Sequence, residues 1–172
     1  MPHSVSTPGA AFAAPFFNAM AWLVQGLTSL ALVSLVLLVT AEVALRGLFG
    51  YSLGFVEEVT GYLVVTLTLF GAALAVRSQS LFQVHVLFDA FPPGLKRGIA
   101  TVFTLVAIAI CVALAWKTVG LVESSWSRGK FAPTVLRTPL WIPQTVLPIG
   151  FGVIALFLCE QLANVLTGKG AK

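Results

Sequence analysis

Charge is what this chain has least of. Only 9% of its 172 residues are Asp, Glu, Lys or Arg, while 58% are hydrophobic and mean hydropathy is +0.98. A soluble domain carries about 25% charged residues, so an ordinary soluble enzyme or nucleic-acid module is excluded. The wealth of Leu, Val and Phe excludes disorder as well. Histidine is nearly absent: His3 and His85 are the only two. Neither lies in a long apolar run, which argues against a haem held by histidines on facing membrane helices. Two cysteines, Cys111 and Cys159, sit deep in apolar runs with no partner at C-x-x-C or metal-ligand spacing. They read as packed thiols. There is no Gly-rich phosphate loop, no G-x-S-x-G elbow and no H-E-x-x-H. No catalytic, cofactor-binding or metal-binding residue is therefore expected. The net charge of +4 comes from basic residues scattered beside apolar runs. They suit the flanks of membrane spans better than a nucleic-acid surface.

What is present is a set of long charge-free runs. Residues 1–41 hold no Asp, Glu, Lys or Arg; residues 59–76, 98–116 and 138–159 form runs of 18, 19 and 22 residues. A membrane-spanning helix needs about 20 mainly apolar residues, so the last three runs are one span each. The first is too long for a single span. Residues 1–15, rich in Pro, Ser and Ala, are expected to be a flexible N-terminal segment, with a helix over 16–45. Ala11-Phe12-Ala13 resembles a signal cleavage site, but no basic and apolar stretch precedes it; the first helix is expected to remain. The reading is all-α: a polytopic membrane protein of four transmembrane helices in one domain, 16–166, with a short C-terminal tail, 167–172. Membrane lipid is its solvent.

Residues 78–95 are too polar to cross and too apolar for a free loop. Leu81, Val84, Phe88 and Phe91 recur at helical spacing, which predicts a short interfacial helix between helices two and three. Pro92-Pro93-Gly94 should end it. Span three can run on towards Trp126, and Lys117 must then snorkel or face protein. Pro143 and Pro148 predict a kink or wide turn at the start of span four. Orientation by positive charge is a tie. Arg77, Lys96, Arg97, Lys169 and Lys172 fall on the side of the termini, and Arg46, Lys117, Arg128, Lys130 and Arg137 on the other.

Charges at membrane depth need partners. Glu42 and Arg46 are four apart, on one helix face. Either they neutralise each other, or Arg46 reaches a carboxylate on span two such as Glu58. Glu57 suits a helix N-terminus. Gly71-Ala72-Ala73 and Gly150-Phe151-Gly152 are small-residue patches that permit close helix packing.

The ordered pieces also resemble a family. Glu42-Val43-Ala44-Leu45-Arg46 closes span one, Phe55-Val56-Glu57-Glu58 opens span two, and Gly71-Ala72-Ala73-Leu74-Ala75-Val76-Arg77 closes it. Val84, Leu87 and Asp89 precede Pro92-Pro93, and Pro139-Leu140-Trp141 and Pro148-Ile149-Gly150-Phe151 mark span four. This series, over about residues 30–166, is similar to the small permease subunit of tripartite ATP-independent periplasmic (TRAP) transporters, the DctQ-type family. The resemblance implies a scaffold in the bacterial inner membrane, with both termini cytoplasmic. Its partner would be a large permease carrying the substrate and sodium sites, served by a periplasmic substrate-binding protein that captures an organic acid. Arg46, Glu58, Arg77 and Asp89 match the family's recurrent polar positions, which implies roles in subunit contact or in the subunit's own fold. A histidine, His85, stands where the family often has aspartate, and Phe55 replaces a common tryptophan. Two other readings are a self-sufficient proton-coupled exporter, homo-oligomeric with Glu42 as proton site, and a membrane anchor for a redox enzyme.

Overall fold

The computed structural model describes residues 14–78, 93–133 and 136–166. Five helices occur among them: α1 (Ala14–Phe49), α2 (Val56–Arg77), α3 (Pro93–Ser127), α4 (Trp141–Gln144) and α5 (Val146–Leu166). Among the described residues there is no strand, only an isolated bridge between Phe131 and Pro139. Four spans are long and apolar enough to cross a membrane: Pro15–Phe49, Val56–Arg77, Gly98–Ser127 and Trp141–Leu166. These are the four helices that the charge-free runs mark out.

The ends differ from the sequence-based bounds for local reasons. Helix α1 runs to Phe49, beyond Leu45, because nothing stops it before Gly50. Gly50 has φ +65°, and Tyr51 N–H donates back to the Leu45 carbonyl at 3.4 Å. This is a left-handed helix stop that glycine enters without strain. Helix α3 opens at Pro93, ahead of the charge-free run 98–116, since proline at the first helical position needs no N–H partner. It ends in the same kind of stop: Gly129 has φ +57°, and Lys130 N–H donates to the Ser125 carbonyl at 3.1 Å. The fourth span is interrupted at Thr145, between α4 and α5. Pro148 has no N–H to give the Gln144 carbonyl, so the helical ladder loses a rung there. The interfacial helix expected over 78–95 falls almost wholly on residues outside those described.

Helix α2 packs on α1 and on α5, and α5 packs on α3, so the order is α1, α2, α5, α3. Burial follows that order. Only 6% of the most apolar windows of α1 and α3 is buried, against 22% for α2 and 33% for the fourth span. The core lies where α1, α2 and α5 meet, from Ala21 and Val24 through Leu69, Phe70, Ala73 and Val76 to Val153, Ile154, Phe157 and Leu158. The α2 and α5 members recur at three- and four-residue steps, one stripe per helix. Close approach is built in at Gly150, where an added Cβ would stand 2.7 Å from the Leu69 Cβ. Ala73, fully buried, does the same for α2. Gly71 and Gly152, the other glycines of the two patches, face open space.

Candidate functional site: polar clusters at opposite ends of the spans

At the end where α1 turns into α2, Glu42 gathers the loop. Helix α1 passes Glu42 by two turns, and the chain then doubles back along it. The Ser52 hydroxyl donates to Glu42 Oε1 at 2.7 Å, and the Leu53 N–H donates to Glu42 Oε2 at 3.0 Å. Arg46 Nη2 lies 3.2 Å from Glu42 Oε1 and donates to the Ser52 hydroxyl at 3.0 Å. The carboxylate is sheltered and the guanidinium is largely exposed. Both oxygens of Glu42 thus hold backbone and side chain of the returning loop. Gly50 and Gly54, both at positive φ, let the chain reverse so tightly. Glu58, on the first turn of α2, accepts the Tyr62 hydroxyl at 2.7 Å. Between the two partners open to Arg46, the observed ion pair is with Glu42.

At the opposite end, Arg77 closes α2 and joins three helices. Its Nε lies 3.2 Å from Glu160 Oε2 on α5, and its Nη2 donates to Asn18 Oδ1 on α1. The guanidinium also lies over the Phe157 ring, 5.5 Å from its centre. Phe157 is only 1% exposed, so the cation rests on a fully desolvated face. Arg77 is a single donor fork with three partners, on two other helices.

Asp89 lies outside the described residues. Sequence reasoning passed over Glu160, Asn18, Ser52 and Tyr62. A signal for Glu160 was available. It is the charge that ends the run 138–159, and in a four-span chain the ends of spans two and four share a side. Arg77 ends span two on that same side. Asn18 carries no charge and sits amid apolar residues, so only the fold reveals it.

Chemically, both clusters neutralise charge within the chain. No group of three or more His, Cys, Asp or Glu side chains that could hold a metal exists among the described residues. Cys111 and Cys159 are free thiols. A proton-carrying role for Glu42 would need a carboxylate that water and protons can reach and leave; here Ser52, Leu53 and Arg46 occupy it.

The sequence profile of the family "Tripartite ATP-independent periplasmic transporters, DctQ component" matches residues 35–168. The chain is 29% identical over 126 residues to the "Ectoine TRAP transporter small permease protein TeaB" of Halomonas elongata, covering 73% of this chain and 65% of that protein. It is 23% identical over 115 residues to the "Isethionate TRAP transporter permease protein DctMQ" of Oleidesulfovibrio alaskensis, covering 67% of this chain and 18% of that one. The chain therefore spans less than two thirds of the length of either relative. With the profile covering most of the chain and four spans in place, this protein belongs to the DctQ component family of TRAP transporters, a family of transporter subunits and not of enzymes, and is a multi-pass protein of the bacterial inner membrane.

Proposed function

We propose that this small permease is a non-catalytic scaffold. It packs on a large permease subunit, which carries the substrate and the sodium ions, and steadies that subunit's static part. A soluble periplasmic protein delivers an organic acid to the assembly, and both termini of this chain face the cytoplasm. The observation that carries the reading is the contrast between engaged charges and open faces. The clustered charges at the two ends of the spans, Glu42 with Arg46 and Arg77 with Glu160, are satisfied within the chain, while only 6% of the most apolar windows of α1 and α3 is buried. Transport pathways in secondary transporters use broken helices and polar groups at mid-membrane; among the described residues the break seen in a span lies at its end, at Thr145. One relative carries isethionate in its name and the other ectoine, so cargo varies among the chains this one resembles. That variation fits a scaffold that does not itself touch the cargo.

The test is reconstitution. A tagged chain solubilised from native membranes in mild detergent should bring down one large polytopic membrane protein in equal amount. Liposomes holding both, with the binding protein outside and a sodium gradient, should accumulate the organic acid. Liposomes holding this chain alone should accumulate none; uptake by the chain alone would overturn the proposal. A reporter fused at the C-terminus should be active only in its cytoplasmic form.

A further inference from the structure

Lys117 lies at membrane depth, and none of the described residues pairs it. The Trp126 ring packs edge-on against Trp141 at 4.6 Å, which sets the end of α3 level with the start of the fourth span. Further along, Ala107, Ile108 and Cys111 of α3 pack on the core that holds Phe157 and Leu158. The two contacts agree on one register. Lys117 is nine residues before Trp126, so its Cα lies about 13 Å below that tryptophan pair at 1.5 Å per residue. Trp141 and Glu160 are 19 residues apart, about 28 Å, which matches a hydrocarbon core of about 30 Å. Lys117 therefore stands near the middle of the bilayer.

Its surroundings give it no relief. Among the described residues no hydrogen bond or ion pair involves the Lys117 side chain. Side chains on a helix lean towards its N-terminus, so the stem points away from the nearer tryptophan girdle and snorkelling that way is opposed. Lipid headgroups are out of reach of a four-carbon stem from this depth. A second copy of this chain offers no answer either. The acids Glu42, Glu57, Glu58, Glu123 and Glu160 stand near the ends of their spans or outside them, and Asp89 lies between spans two and three.

The face that carries Lys117 has the shape of a helix seat. The seam of α3 against α5 runs through Thr104, Ile108, Cys111, Thr118 and Ser125, which are buried or half-buried. The opposite face centres on Ala109, Ala113 and Gly120, with Trp116 on one flank and Lys117 on the other. Ala109, Val112, Ala113, Trp116 and Lys117 line one shallow open groove. Small residues four apart let a second helix approach closely. Trp116 is 79% exposed and adds, at the same depth, an indole N–H donor that no described residue accepts. Two donors over a small-residue floor call for an acceptor-bearing helix and not for lipid tails.

We infer that this outer face of α3 is where the large permease docks, through a membrane-spanning helix that carries an Asp or Glu carboxylate at mid-membrane depth opposite Lys117. The inference rests on the scaffold reading above. The partner then closes an ion pair that this chain leaves half-made.

The experiment uses the full chain co-expressed with its large permease. A photo-reactive benzophenone amino acid is placed at Val112 on the α3 groove or, for comparison, at Leu30 on the exposed face of α1. Lys117→Met is assayed in parallel for the amount of large permease recovered per copy. Removing a membrane-depth charge favours insertion of this chain, so its own level in the membrane should hold or rise. Crosslinks to the large permease from position 112, with recovery of that partner falling about tenfold in Lys117→Met, are the expected result. Wild-type co-purification with crosslinks from position 30 only, or full recovery in Lys117→Met, would overturn the inference and leave the scaffold reading standing. Crosslinks between two copies of this chain at position 112 would overturn it too. Failure of the wild-type chain to bring down any large membrane protein would sink the scaffold reading, and the inference with it.

Discussion

The two ends of this molecule solve one problem in two ways. At the end of α1, Glu42 binds groups four, ten and eleven residues away. At the end of α2, Arg77 binds groups 59 and 83 residues away. The first cluster is a local clasp: it ties a loop to the helix that produced it. The second is a tertiary clamp: it fixes α1, α2 and α5 at one level. The clasp costs little entropy to form because its members are already neighbours along the chain. The clamp exists only once the helices have assembled, and it is correspondingly sensitive to how they pack.

Breaking the clamp should have the largest effect. Arg77→Ala leaves the half-buried Glu160 carboxylate without its cation. Since both side chains keep about a fifth of their exposure, the expected loss is about 1–3 kcal/mol, below that of a fully buried pair. A lower midpoint of thermal unfolding in detergent checks it. Replacing both, as Arg77→Met with Glu160→Met, should recover most of that loss, because no charge is then stranded. Failure of the double variant to recover would show that Asn18 and Phe157, not Glu160, carry the clamp.

Gly150→Ala probes the packing beneath the clamp. The new Cβ meets the Leu69 Cβ at 2.7 Å, a backbone-attached atom that no rotamer change can move. Helices α2 and α5 must spread, at a cost of about 1–3 kcal/mol. Gly152→Ala, where space is open, should cost far less and can be measured in the same unfolding assay.

The clasp should fail quietly. Glu42→Ala releases the Leu53 amide, and its hydrogen exchange should quicken on the order of tenfold while the unfolding midpoint barely moves. A large drop in that midpoint would mean that the loop is coupled to the helix core. Arg46→Ala should be the mildest change of all. Its side chain is 63% exposed, and exposed pairs of this kind contribute little, so both readouts should stay within error.

The same contrast explains what was legible beforehand. The four spans followed from charge-free runs of bilayer length, because lipid admits only helices that satisfy their own backbone. The pairing of Glu42 with Arg46 followed from helical geometry, with Glu58 as the alternative, and the loop that folds back on Glu42 accompanies the observed pair. The partner of Arg77 did not follow. Asn18 and Glu160 come from helices that flank span two in space but not both in sequence. Of the two small-residue patches, the sequence could not say that Gly150 and Ala73 make the close approach while Gly71 and Gly152 do not; one residue of register rotates a helix by about 100°.

What the sequence determined by itself is the number of spans, their approximate ends and the local clasp, since each depends on composition or on residues within about three turns. What only the tertiary structure decided is the order α1, α2, α5, α3, the clamp at Arg77 and the outward exposure of Lys117. In lipid, an apolar helix face is equally content against tails or against another helix. Hydrophobicity therefore places helices in the membrane but does not choose their neighbours; close packing and a few polar contacts do.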